Sequence, residues 1–123
     1  MIVVDDFRNP EVVDIGGRKV TISSIPSVEG LSIYRAIVPF IRDNGSLGIT
    51  LIPQNIIIQI TKFTAVELQD GGKLPLETVD SLNANFDMFG ILSIVKKMYD
   101  KNFGFFADGS LQKLLLEEGT AQS

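Results

Sequence analysis

The sequence predicts an α+β fold that is mainly α-helical, in which a short N-terminal β-hairpin is followed by about four to five helices. Three observations predict this fold. Apolar and polar residues alternate around Gly16-Gly17, which is typical of two strands joined by a tight turn. From Val28 onward, apolar residues recur at three- and four-residue steps, the spacing of amphipathic helices. Ile, Leu, Val and Phe form more than a third of the 123 residues, which is enough for one folded domain over 1–123.

The hairpin is expected within 11–22. Val20 and Ile22 alternate with Thr21, which is the pattern of a half-buried strand, and the two glycines supply the positive φ that a tight turn needs. Residues 1–17 as a whole mix apolar and acidic side chains, so the pattern defines this N-terminal segment less well than the rest of the chain.

The first helix is predicted over 28–42. Ser27 is a suitable N-cap, and Glu29 lies in the first turn, where the helix dipole favours a negative charge. Pro39 lies inside this helix. We expect a kink or an early end there, because proline removes one backbone hydrogen bond and clashes with the preceding turn.

A second helix is predicted to begin after Pro53 and to end near 63–66. Isoleucine is β-branched and also favours strands, so a strand is the competing prediction for this segment. The glycine-containing residues 69–73 are expected to form a turn. The apolar face of the helix consists of Ile56, Ile57, Ile60 and Phe63.

The strongest helical pattern runs from Met88 to Phe103, with Asp87 as its N-cap and Gly104 as its C-cap. A short helix is predicted before it, over 77–83. Another is predicted after it, capped by Ser110, and residues 117–123 are expected to be a flexible tail. The apolar face of the strongest helix consists of Met88, Ile91, Leu92, Val95, Met98, Tyr99 and Phe103.

The composition argues against catalysis. The chain has no His and no Cys, which removes the commonest general base, the thiol nucleophile and the usual zinc ligands. The 15 acidic residues still leave a carboxylate pair or a magnesium site open. No acidic pair has a recognisable spacing, so we expect a protein that is not an enzyme and has no cofactor and no metal.

Charge and hydropathy narrow the expected partners. The 11 basic residues are scattered and give a net charge of −4, so nucleic acid is not an expected partner. No stretch approaches the ~20 apolar residues that a membrane span needs, and the chain turns acidic after four residues, unlike a secretory signal. We therefore expect no membrane contact and a cytoplasmic location.

Three polar clusters admit a functional interpretation, but each has a simpler one. Residues 16–19 offer glycines and basic side chains to a phosphate, yet they lack the ending of a P-loop, and a hairpin turn is preferred. The acidic residues of 5–14 do not follow the spacing of a calcium loop and are interpreted as a solvated face. The lysines of 96–101 are interpreted as solubilising.

An aromatic cluster at the end of the strongest helix is the most informative feature, and it consists of Tyr99, Phe103, Phe105 and Phe106. Phe103 continues the apolar face of the helix, so a core position is the alternative to a binding role. Phe105 and Phe106 are adjacent and cannot both point inward in an extended chain. One of them is therefore available to anchor a partner or a second subunit, and all four are candidate partner-binding residues.

Three pieces follow one another in the chain: Ile25-Pro26-Ser27-Val28-Glu29-Gly30-Leu31 opening a helix, a helix end near 63–66 before a glycine loop, and an amphipathic helix running into 102–106. In this order they resemble the tail assembly chaperones of long-tailed bacteriophages. The resemblance covers residues 18–107. Its most specific piece is the tyrosine-to-diphenylalanine stretch from Tyr99 to Phe106.

The resemblance implies a protein that binds the long, apolar tape-measure protein and keeps it soluble while tail-tube protein polymerises around it. In many phages a ribosomal frameshift yields a longer form that recruits tube protein, so tail-tube protein is a second implied partner. Such chaperones work in the host cytoplasm and are absent from the mature virion. A small domain with accessible apolar surface also tends to form homo-oligomers. The alternative function is a permanent structural tail or connector component of the virion.

Overall fold

The computed structural model describes residues 10–107, apart from the side chains of residues 45–46 and 105–107. It confirms an α+β, mainly helical fold with an N-terminal hairpin. The helix predicted after Ser110, the tail 117–123 and residues 1–9 lie outside the described residues. The elements in chain order are β1 (Glu11–Ile15), β2 (Arg18–Ile22), α1 (Ser27–Asn44), a 3₁₀ helix (Gly45–Leu51), α2 (Gln54–Thr61), β3 (Thr64–Glu67), β4 (Lys73–Pro75), α3 (Val79–Asn85) and α4 (Met88–Ala107).

The predicted hairpin is confirmed. Ile15 lies opposite Arg18, so Gly16 and Gly17 form a two-residue turn, with φ angles of 58° and 85°. Both angles lie in the left-handed region, which glycine adopts without steric cost. The backbone N–H of Gly17 donates a 2.8 Å hydrogen bond to Asp14 Oδ1, which closes the turn.

The sheet has two strands that the sequence pattern does not predict. All four strands are antiparallel, in the order β1-β2-β3-β4. Residues 64–66 are predicted to end a helix, but they begin β3, where Val66 lies opposite Val20 of β2. That prediction is wrong because β3 has only 4 residues and is stabilised by a strand far back in the chain, which local spacing cannot reveal. The turn predicted over 69–73 is confirmed and connects β3 to β4.

The two faces of the sheet differ in chemistry. Val20, Ile22 and Val66 are buried on the inner face, and α4 contacts β1 and β2. On the outer face, Asp14 lies opposite Lys19 and Glu67 opposite Lys73. Opposite charges across neighbouring strands are typical of a sheet face in water. This confirms that Asp14 belongs to a solvated face.

Two helix predictions concern α1 and α2. An early end at Pro39 is wrong, since α1 continues to Asn44. Pro39 and Arg35, whose carbonyl group loses its usual helical partner, are both exposed, so water can bond to that carbonyl. The helix predicted after Pro53 is confirmed as α2, and the competing strand is not.

The start of α4 is confirmed, but its contact face and its end differ from the prediction. Asp87 Oδ1 accepts a 2.8 Å hydrogen bond from the Gly90 backbone, as an N-cap does. Met88 is 84% exposed instead of buried, because the contact face is centred on Ile94 and Met98. A C-cap at Gly104 is wrong, since α4 continues to Ala107.

One polar side chain lies in the core without a partner. Thr61 is fully buried at the end of α2, and its hydroxyl has no hydrogen bond within the described part of the chain. Thr64 is also buried, but its hydroxyl donates a 2.6 Å bond to the Thr61 carbonyl oxygen. A buried hydroxyl without a partner lowers stability. The apolar core around both residues consists of Ile15, Val20, Ile22, Ile25, Ile33, Ile37, Ile49, Ile52, Ile60, Val66, Leu76, Leu82, Ile94, Val95, Met98 and Phe103.

Replacing Thr61 with valine, which has nearly the same shape, is expected to raise the free energy of unfolding by about 1 kcal/mol. The matched control is Thr64→Val, which removes a buried hydrogen bond and is expected to lower that free energy by about 1 kcal/mol. Urea denaturation of both variants measures the two changes. Equal losses for both variants would show that the Thr61 hydroxyl has a partner in solution.

Candidate partner-binding site

An open apolar groove of about 360 Å³ lies between α4 and the 3₁₀ helix. Phe89 on its rim is 79% exposed, an unusual position for a large aromatic side chain. Leu47, Leu51 and Met88 belong to the same two elements and are also exposed. We name this feature the Phe89 groove, and its lining residues are Ile49, Thr50, Phe89, Leu92, Ser93, Lys96 and Lys97.

The groove exists because α4 carries apolar residues on two sides. Ile94 and Met98 are fully buried and attach the helix to the core. Phe89, Leu92 and Lys96 follow one another at three- and four-residue steps, so they share a different side of the helix. Leu92 on this side still packs partly against the core, whereas the ring of Phe89 is left exposed and is accessible to a partner.

The two hydroxyl groups in the lining do not make the groove polar. Ser93 Oγ donates to the Phe89 carbonyl oxygen at 2.8 Å, and Thr50 Oγ1 donates to the Leu47 carbonyl oxygen at 2.7 Å. Both donors are therefore satisfied by the backbone of their own helix. A partner that enters the groove meets mainly hydrocarbon, which suits an apolar side chain.

The charged groups lie at one end of the groove. Lys96 Nζ contacts both carboxylate oxygens of Asp100, at 2.7 and 2.9 Å. Lys97 is exposed and has no ion pair among the described residues. Within the described part of the chain the lining contains no carboxylate, so its charged end is basic in a protein of net charge −4.

The predicted aromatic residues lie farther along α4. Phe103 is 3% exposed and packs against Tyr34 and Tyr99, with ring centroids 5.4 and 5.8 Å apart. It therefore belongs to the core, which was the alternative to a binding role. Tyr99 is half-buried, and burial raises the pKa of its phenol, as do the neighbouring Tyr34 and Asp100. Phe103 lies about 21 Å from Phe89 along the helix axis.

Phe105 and Phe106 belong to the last turns of α4, but their side chains lie outside what the structure describes. The prediction for these two residues assumes an extended chain, in which neighbouring side chains point to opposite faces. Because α4 continues to Ala107, that assumption does not hold, and adjacency alone no longer supports the prediction. Their partner-binding role stays a prediction.

A second, polar hollow lies at the turn end of the sheet. It has a volume of about 790 Å³ and is lined by residues 17–19 and 67–70. Arg18 and Lys19 share it with Glu67 and Asp70, so carboxylates lie where a phosphate would need only donors and cations. The hairpin-turn interpretation of residues 16–19 fits this geometry better than a phosphate site.

Neither a metal-binding cluster nor a membrane-spanning helix is present within residues 10–107. Within 10–107, no three acidic side chains lie close enough together to hold a metal ion. Of the acidic cluster over 5–14, Glu11 and Asp14 are described, whereas Asp5 and Asp6 lie outside. None of the helices in the described part of the chain is long and apolar enough to cross a membrane.

Phe89 was not predicted as a functional residue, because the apolar spacing was interpreted as a single face of α4. The spacing between Phe89 and the lysines of α4 could have indicated its exposed position. Phe89 is seven and eight positions before Lys96 and Lys97, so it shares their polar side of the helix rather than the core side. An aromatic residue among lysines on a solvent face indicates a surface contact.

No protein-family model, no curated protein and no solved structure matches the chain.

Proposed function

We propose that this protein is a tail assembly chaperone of a long-tailed bacteriophage. It binds the apolar tape-measure protein and keeps it soluble while the tail tube polymerises. One observation carries the proposal: the ring of Phe89 is 79% exposed at an open apolar groove, and Leu47, Leu51 and Met88 of the same two elements are exposed as well. Holding an apolar partner requires such a surface. The order of sequence features that resembles this family supports the same function.

The proposal assigns the partner contact to the Phe89 groove and not to Phe103. A buried ring contributes to folding, whereas an exposed ring is available for binding. The net charge of −4 keeps a protein with an open apolar groove soluble. Self-association, contact with tail-tube protein through a longer form, a host-cytoplasm location and absence from the virion belong to the same proposal.

Replacing Phe89 with alanine is expected to abolish most of the rescue of a co-expressed tape-measure protein. Aromatic residues at the centre of an interface contribute about 2 kcal/mol or more, so binding should weaken at least about tenfold. Because Phe89 is exposed, the free energy of unfolding should change by less than about 0.5 kcal/mol. Soluble yield and co-purification of the tape-measure protein measure the effect.

Val28→Ala is the matched control, because Val28 is 82% exposed and lies at the start of α1, outside the groove lining. It should leave the rescue unchanged. The proposal is wrong if the unmodified protein does not increase the soluble yield of the tape-measure protein.

Mass spectrometry of purified virions tests the competing function. A chaperone that is shed before the tail is finished should be missing or present in trace amounts. Stoichiometric presence would instead identify a permanent tail or connector component.

A further inference from the structure

We propose that the Phe89 groove selects apolar helical segments that carry an acidic residue, and that Lys97 recognises the carboxylate. This inference rests on the proposed function, because it names the chemistry of the segment that the chaperone holds.

The length of the groove fits a helix. Phe89 and Lys97 mark its two ends on α4, and eight residues of helix span about 12 Å. A partner helix covers that distance in about two turns, which places apolar side chains at three- and four-residue steps along the groove. The half-buried Leu92 provides apolar surface for those side chains between the two ends, and the mostly buried Ile49 also belongs to the lining.

The charge at one end fits an acidic residue. Among the described residues, the lining holds two lysines and no carboxylate, although the whole protein is acidic. Lys96 is already neutralised by Asp100, whereas Lys97 has no ion pair within the described residues. A partner carboxylate near Lys97 gains a favourable interaction, and a partner cation is repelled.

The test uses two synthetic helical peptides of about 18 residues, a length that allows helix formation. In both peptides the leucines repeat at three- and four-residue steps and form one apolar face. The two peptides differ in a single residue just beyond that face, which is Glu in one and Lys in the other. Fluorescence anisotropy with the full-length protein measures both affinities. The Glu peptide should bind more tightly. In Lys97→Glu the preference should reverse, with the Glu peptide weakened about fivefold to tenfold.

Lys19→Glu is the matched control, since it makes the same charge change on the outer face of the sheet. It should leave the peptide preference in place. Phe89→Ala should weaken both peptides alike, at least about tenfold. Equal effects of Lys97→Glu and Lys19→Glu would overturn the proposal, because general attraction between charges would then explain the preference.

Other occupants of the groove give different results, and each would overturn the proposal. If light scattering shows that Phe89→Ala dissociates an oligomer while neither peptide binds, the occupant is a second copy. If the peptides bind only after Leu114→Asp, the occupant is the segment 111–116 of this chain, which contains four leucines. If the tape-measure protein is rescued through Phe89 while Lys97→Glu changes no affinity, charge recognition fails and the chaperone function stands.

Discussion

Replacing Gly48 with alanine is expected to lower the free energy of unfolding by about 3 kcal/mol, which is the upper part of the usual range for overpacking. Gly48 is buried in the 3₁₀ helix. A Cβ atom there would overlap the Phe40 carbonyl oxygen and lie 2.6 Å from the carbonyl carbon. These are backbone atoms of α1 and cannot rotate away, so one of the two helices has to shift. Chemical denaturation of both proteins measures the change.

Gly104→Ala is the matched control for this prediction. A Cβ atom at Gly104 meets no described atom within 4 Å, and the residue lies inside α4. Alanine is favoured over glycine in a helix, so this variant should be more stable by about 0.5–1 kcal/mol. A neutral Gly48→Ala variant would show that the 3₁₀ helix and α1 are not in such close contact in solution.

Replacing Asn102 with alanine is expected to lower the free energy of unfolding by about 2 kcal/mol, the cost of leaving a buried donor without a partner. Asn102 is 5% exposed, and its Oδ1 accepts a 2.8 Å bond from the Ile25 backbone N–H. Its Nδ2 donates to the carbonyl oxygens of Ser23 at 3.3 Å and Met98 at 3.1 Å. The side chain therefore joins α4 to the connection between β2 and α1. Thermal and urea unfolding measure the loss.

Asn85→Ala is the control for Asn102. Asn85 Nδ2 donates to the Ser81 carbonyl oxygen at 2.7 Å, within α3. Losing this local bond should cost no more than about 0.5 kcal/mol. Equal losses for the two variants would mean that the bonds from Asn102 to the connection contribute nothing to stability.

The elements that the sequence predicted correctly are those with a local cause. The turn at Gly16-Gly17 follows from the conformational freedom of the two residues themselves. The helices α1, α2 and α4 follow from apolar spacing within one segment. β3 and β4 were not predicted, because a strand of three or four residues is stabilised mainly by its neighbours in the sheet.

The predicted binding residues lie towards the end of α4, whereas the Phe89 groove lies nearer the start of the same helix. The aromatic residues clustered near the end of α4 led to the prediction that Tyr99 and Phe103 bind a partner. Tertiary packing instead buries Phe103 against Tyr34 of α1. The same packing directs Ile94 inward and leaves Phe89 outside. Hydrophobicity alone does not distinguish these positions, because both are large and apolar.

By itself, the sequence determined the fold class, the hairpin turn and the absence of His and Cys chemistry, since each depends on composition or on neighbouring residues. The tertiary structure alone decided that the hairpin extends into a four-stranded sheet. It also decided which side of α4 enters the core and that Asn102 joins that helix to a distant connection. These features depend on contacts between residues far apart in the chain, and the free energy of such contacts is not encoded in any single segment.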